Sequence, residues 1–218
     1  EDWVRWCALA VVPLLPTVLI NSSYWGQCDS VYASFLVGSI YFVLRKRSFL
    51  SILFLGISFS FKLQAVLLFP FYFVLLLKNR VKWYYFLLVP AVYLISLLPA
   101  YCAGRPLTEL LSVFISQSEY YDSLSLQFPN LYMWISDDHY ETVKWIGILL
   151  TCLFALLTGG LLAKKYRAQL TNDYLVRLAL LSAVIFPFLL PGMHERYMYV
   201  GDLLAVAYIM YFPRKFYN

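Results

Sequence analysis

Residues 45–82 read RKRSFLSILFLGISFSFKLQAVLLFPFYFVLLLKNRVK, two basic clusters flanking thirty residues whose only charge is Lys62. Short loops rich in Lys and Arg stay in the cytoplasm, so Arg45-Lys46-Arg47 and the Lys78–Lys82 cluster belong on one side of a membrane. A single helix across the interval would run about 45 Å at the usual helical rise and would carry one cluster to the wrong side. Two helices, 48–61 and 63–77, meeting near Lys62 keep both clusters inside. Each is about 21–23 Å long, short of the ~30 Å hydrocarbon core, which favours a hairpin with a buried polar turn over two ordinary spans.

The composition around this hairpin is that of an integral membrane protein. Hydrophobic residues make up 62% of the 218-residue chain and charged residues 13%, and the mean hydropathy is +0.70; soluble domains carry about 25% charge. Further apolar runs lie at about 3–20, 30–44, 83–102, 143–163, 174–190 and 197–212. With the two halves of the hairpin they predict an all-α polytopic fold of about eight hydrophobic helices in a single transmembrane domain, 1–218. Lys164-Lys165 with Arg167, and Arg214-Lys215, complete the inner basic set. The N-terminus is then cytoplasmic. Asn21–Asp29, the Lys62 turn, a loop at about 103–142 and residues 191–196 lie outside. Nine of the twelve acids fall on or at the edge of that outer side: Asp29, Glu109, Glu119, Asp122, Asp137, Asp138, Glu141, Glu195 and Asp202.

This geography accounts for the net charge of +5 as cytoplasmic anchoring and excludes a nucleic-acid surface, since no basic patch is interleaved with base-stacking aromatics. The 19 Tyr and 6 Trp suit membrane–water interfaces, which hold rings with a wet tip and an oily body. Cys7, Cys28, Cys102 and Cys152 show no paired zinc spacing. The chain opens on Glu1 without a signal-peptide pattern, so it reads as a fragment whose N-terminal part lies upstream.

Three polar clusters fall on the outer side. In Tyr24-Trp25-Gly26-Gln27-Cys28-Asp29, Asp29 can cap the helix beginning at Ser30 while Tyr24 and Trp25 anchor at headgroup depth. Alternatively, Gly26 admits close backbone approach, and Gln27 with Asp29 offers the amide and carboxylate that sugar hydroxyls need. Lys62, followed by Gln64, either snorkels from a hairpin tip or faces an anion. His194-Glu195-Arg196 follows Pro191-Gly192, which breaks the preceding helix and exposes backbone amides. Arg196 suits bidentate phosphate recognition and His194 can donate to a phosphate oxygen or carry a proton. Plain interface anchoring is the competing reading of that triplet. Asp202 stands two turns beyond Glu195 on the same helical face. In the outer loop, Gln117, Glu119, Tyr120, Tyr121 and Asp122, then Asn130, Tyr132 and Trp134, suit carbohydrate faces and hydroxyls, as they would any wet interfacial loop. Asp137, Asp138 and His139 could hold a metal, but adjacent residues seldom converge unaided. A solvated loop is favoured and no metal is assigned.

Asn21–Asp29, then Phe61-Lys62-Leu63-Gln64 with Pro70, and finally Met193-His194-Glu195-Arg196-Tyr197 resemble the bacterial membrane mannosyltransferases related to the second GPI mannosyltransferase, a group within the GT-C glycosyltransferases. The match in order and spacing covers most of the chain. The resemblance implies a polyprenyl-phosphate sugar as donor, no certain cofactor, an extracytoplasmic site and inversion at the anomeric carbon. It further implies that Asp29, Lys62, His194 and Arg196 line the donor site, with Asp29 the candidate catalytic carboxylate within this chain and the principal base in a first outer loop upstream of the matched region. On this view Lys62, His194 and Arg196 bind the donor phosphate, and Trp25, Gln27, Asp29 and Gln64 bind the sugar or acceptor. Glu195 and Asp202 orient the cations. The partners implied are a lipid-linked sugar donor, a glycan, lipid or protein acceptor, and the bacterial plasma membrane. A transporter or flippase of a lipid-linked sugar would also need intramembrane cations and broken helices, and a noncatalytic subunit is a third reading.

Overall fold

The computed structural model describes residues 2–118, 120–165 and 170–213. Glu1, Glu119, Arg167, Arg214 and Lys215, which enter the charge and chain-start readings, lie outside the described residues. About 80% of the described residues are helical. In order, it forms α1 (Asp2–Leu14), a single turn α2 (Pro16–Val18), a π-helical turn Leu19–Tyr24, α3 (Asp29–Leu44) and α4 (Ser48–Phe61). A 3-10 segment Leu63–Leu68 leads into α5 (Phe69–Leu77), and another, Trp83–Leu87, leads into α6 (Leu88–Cys102). Then come α7 (Leu107–Ser118), α8 (Tyr140–Lys165), α9 (Asn172–Leu189) and α10 (Tyr199–Tyr211). Two-residue strands β1 (Ser125–Leu126) and β2 (Met193–His194) pair in parallel, Ser125 opposite Met193 and Leu126 opposite His194.

The reversal at Lys62 is present. Its backbone is extended (φ −156°, ψ 133°) between α4 and the 3-10 segment. The Ser48 hydroxyl at the start of α4 donates to the carbonyl of Arg80 beyond α5 at 2.8 Å, so both basic loops sit at one end. Lys46, Arg80, Leu170 and Asn172 share a small cavity of about 80 Å³ there. The Lys62 turn is at the far end of the hairpin.

Three segments are long and apolar enough to cross a membrane: Trp83–Cys102, Asp137–Lys164 and Asn172–Leu189. Eight full spans are not seen among the described residues. The apolar runs at 30–44 and 48–61 form helices of 16 and 14 residues, about 24 and 21 Å at helical rise. The first run is interrupted by Pro13 and Pro16, and the last yields the 13 residues of α10. The loop expected at 103–142 is also corrected, since it holds α7, β1 and two 3-10 turns, Leu131–Trp134 and Asp137–His139. Asp137 fixes that loop by accepting from the Leu124 amide at 2.7 Å and the Ser123 hydroxyl at 3.1 Å.

The main core joins α3, α4, α5, α9 and α10 through the fully buried Tyr32, Leu36, Ile52, Leu55, Phe71, Tyr72 and Leu75, together with Tyr199 and Leu204. Inside it, the Tyr72 hydroxyl meets the hydroxyls of Ser39 and Ser51. Buried hydroxyls in an apolar bundle need such partners, and these three satisfy one another.

A second, smaller core carries the outer segments. α9 contains Pro187 and stops before Pro191, where the missing N–H and the proline ring prevent continuation. The carbonyls freed at its end are met from other elements: Tyr132 Oη and Thr151 Oγ1 donate to Leu189 O at 2.9 and 2.7 Å, and Asn130 Nδ2 donates to Leu190 O at 3.1 Å. Gly192 then turns the chain at φ +68°, a left-handed conformation that strains other residues, and its amide donates to Leu124 O at 2.8 Å. β2 starts from this turn. A Cβ on Gly147 would stand 2.3 Å from the Tyr132 hydroxyl. Gly147→Ala is therefore expected to push Tyr132 off Leu189 and lower stability by about 1–3 kcal/mol, read as an earlier thermal transition in detergent. An unchanged melt would show that Tyr132 does not hold this end of α9.

Candidate functional site

The site begins where α2 widens into the π-helical turn. The turn is closed by the Trp25 amide donating to Ile20 O at 2.8 Å and the Gln27 amide donating to Asn21 O at 3.0 Å. That wider turn sets Asn21 inward, and its Nδ2 donates to Asp29 Oδ2 at 2.8 Å. The other oxygen, Oδ1, receives Lys62 Nζ. The Asp29 side chain has 0% exposure and the Lys62 side chain 14%, so this is a buried ion pair. The ammonium also lies 5.5 Å from the centre of the Tyr32 ring and 5.9 Å from that of Tyr197. Two sequence readings are corrected here. Cys28, not Asp29, occupies the cap position of α3, and it makes no side-chain cap bond. Asp29 is not on the cavity lining, and its two carboxylate oxygens are engaged by Asn21 and Lys62.

The second wall comes from the turn after β2, a 3-10 segment Glu195–Met198. The His194 ring packs edge-on against Tyr121 and Tyr197 at 5.7 and 5.4 Å between centroids. Its Nδ1 stands 3.8 Å from Glu195 Oε2, beyond hydrogen-bond reach. The Arg196 guanidinium lies 5.9 Å over the Trp25 ring, joining the first polar cluster to the third. Gln64 and Arg196 both approach the Tyr197 hydroxyl.

Burial, with the positive charges of Arg196 and Lys62, holds the His194 imidazole below its ordinary value, while Glu195 opposes the shift. Because the folded value is depressed, the unfolded chain takes up this proton first as pH falls. Stability is thus full above about pH 6.5 and declines as pH drops through that value toward the lowered one. His194→Gln is expected to flatten the acid limb of a melting-temperature profile measured between about pH 5 and 8. A wild-type melt that does not fall across that range would contradict the depressed value.

These walls enclose a cavity of about 940 Å³ lined by Gln27, Lys62, Gln64, His194, Arg196 and Tyr197, with α7 and α8 opposite. Five of the nine candidate residues named from sequence thus share it. Trp25 reaches it through Arg196, and Asp29 through Lys62. Glu195 does not line it, although its Oε2 is buried without a hydrogen-bond partner. Asp202 is placed elsewhere, accepting from Thr17 Oγ1 at 2.6 Å, so it braces α10 against α2 and does not orient the cations. Buried polar atoms without partners gather around this same place: Asn21 Oδ1, Tyr32 Oη, Gln64 Oε1, Glu195 Oε2 and Arg196 Nε. Buried polar groups are normally paired, so these atoms keep hydrogen-bonding capacity that the described side chains do not use.

Sequence reasoning reached Gln117, Tyr120 and Tyr121 of the opposite wall as parts of an outer loop, but missed the helical face they adjoin. Glu109, Ser112, Val113, Ser116 and Gln117 of α7 line the cavity at intervals of three and four, one helical face. α8 adds Tyr140, Lys144 and Ile148 at the same period. The α7 spacing was readable in the sequence; Lys144 was concealed as one charge inside an apolar run. Glu109 is the carboxylate on the wall among the described residues. These residues form no group of three or more His, Cys, Asp or Glu able to hold a metal. Comparisons with protein-family models, curated proteins and solved structures find no match for the chain.

Proposed function

We propose that the chain is part of a polytopic membrane glycosyltransferase that moves a sugar, mannose by its resemblance, from a polyprenyl-phosphate donor to an acceptor outside the cytoplasm. The observation that carries this reading is the convergence of Lys62, His194 and Arg196 on one cavity, at the opposite end of the hairpin from the Arg45–Arg47 and Lys78–Lys82 loops. The rule for basic residues assigns those loops to the inside, which supports an outer position for the cavity.

In transfer, the bond between the anomeric carbon and the donor phosphate oxygen breaks, and its electron pair leaves with the phosphate. The acceptor hydroxyl oxygen forms the new bond and its proton passes to a carboxylate. Arg196 and neutral His194 line the cavity as donors for the phosphate while negative charge grows on it. Lys62 adds a cation whose position is set by Asp29. Gln27 and Gln64 supply amides for sugar hydroxyls, and Glu109 is the wall carboxylate available for the acceptor proton. The test is reconstitution in vesicles with polyprenyl-phosphate mannose and a panel of acceptors. Release of polyprenyl phosphate with formation of a glycoside supports the reading. Donor that is carried across the bilayer intact would assign the cavity to a flippase instead.

A further inference from the structure

We propose that Lys144, backed by Tyr140, is a second anion-binding point in the cavity, and that it takes the phosphate of a lipid headgroup separate from the donor phosphate. The proposal rests on the donor reading above, because it assigns the opposite wall of the same cavity.

Lys144 sits one turn into α8, within a segment long and apolar enough to cross a membrane. A lysine near a helix end ordinarily extends its ammonium to water. Lys144 does not: its side chain is 13% exposed, and its Nζ lies 4.9 Å from the centre of the Tyr140 ring, itself a buried residue. The nearest described acid is Glu141, at 3.9 Å with a side chain 68% exposed. That separation is at the limit of an ion pair, and the solvent around Glu141 screens it, so the ammonium is left largely uncompensated. A cation held inward on a membrane helix is costly without an anion, and the surface it lines is the cavity wall. The α7 face completes the chemistry. Ser116 and Gln117 offer a hydroxyl and an amide to the same space, while Ser112, whose hydroxyl donates to Glu109 O at 3.0 Å, can still accept, so this wall is equipped for a headgroup that carries both a phosphate and hydroxyls. Donor-phosphate cations on one wall and Lys144 on the other give the cavity two anion positions.

The phosphate could belong to an acceptor lipid or to the second phosphate of a diphosphate carrier, and three probes separate these. The chain in neutral-lipid nanodiscs is titrated with short-chain phosphatidylglycerol, a short-chain polyprenyl monophosphate and the corresponding diphosphate. Lys144→Gln is expected to weaken phosphatidylglycerol about tenfold, the scale of one charge-assisted hydrogen bond, and to change monophosphate affinity less than about twofold. Arg196→Gln is expected to do the reverse. Lys144→Arg should keep phosphatidylglycerol binding, which a role in packing alone does not explain. Loss of diphosphate but not phosphatidylglycerol affinity in Lys144→Gln would tie Lys144 to the carrier and overturn the headgroup assignment. Unchanged affinity for all three probes, or equal damage from Lys144→Arg and Lys144→Gln, overturns the proposal. Should Lys144→Gln fail to fold, Tyr140→Leu with an intact lysine serves as the second variant, and undiminished phosphatidylglycerol binding there removes the backing role. Failure of the donor reading shows separately, as monophosphate affinity that ignores Arg196.

Discussion

Arg196→Gln is expected to reduce sugar transfer about 100-fold or more while the protein inserts and melts like the wild type. The guanidinium is on the cavity wall, steadied over Trp25, with Nε buried and unpaired. It forms no ion pair among the described residues, so its removal strands no buried carboxylate. The loss therefore falls on the step in which charge develops on the departing phosphate. Arg196→Lys is expected to recover only part of the rate, because an ammonium lacks the planar fork that grips two phosphate oxygens. The measurement is initial rate of glycoside formation at saturating donor, beside a melting curve. Turnover close to wild type in Arg196→Gln would remove Arg196 from the mechanism.

Asp29→Ala should produce the largest effect on stability, a loss of about 3–5 kcal/mol, because it leaves Lys62 buried without its anion between Tyr32 and Tyr197. It also removes the acceptor for Asn21 Nδ2. The cost comes from the stranded charge, not from the loss of the pair as such. Asp29→Ala combined with Lys62→Met is expected to recover much of the loss, since a buried ion pair replaced by apolar groups is often nearly neutral. Activity should not return with it, because Lys62 reaches the cavity. The double-mutant comparison is made by melting and by turnover on the same preparations. A single Asp29→Ala variant that melts with the wild type would show that the ion pair contributes nothing.

The hairpin was legible because charge parity constrains topology without knowledge of packing: Lys62 must lie between two basic ends that share a side. The grouping of Gln27, Lys62, Gln64, His194 and Arg196 was legible for the same reason, as polar residues assigned to one side of an apolar fold. The roles within the group were less readable. Whether Asp29 caps α3, meets a sugar or holds Lys62 depends on the π-helical turn at Leu19–Tyr24, and no local pattern announces that turn. Hydropathy also overcounted the spans, since an apolar run registers whether it forms a full crossing or a 13-residue helix such as α10. α7 escaped because its polar face points into a cavity; from sequence alone, such a face resembles one turned to solvent.

The two-residue pairing of β1 with β2 has a consequence for how the cavity can be entered. Residues 125–127 are paired through the main chain with Met193 and His194, and His194 directly precedes Glu195 and Arg196. Anything that lifts the 120–128 segment away as a gate must therefore break that ladder or drag the imidazole and guanidinium with it. Opening the mouth and aiming the cations are one mechanical event, so a loop crosslinked shut would lock the site's geometry as well as its doorway.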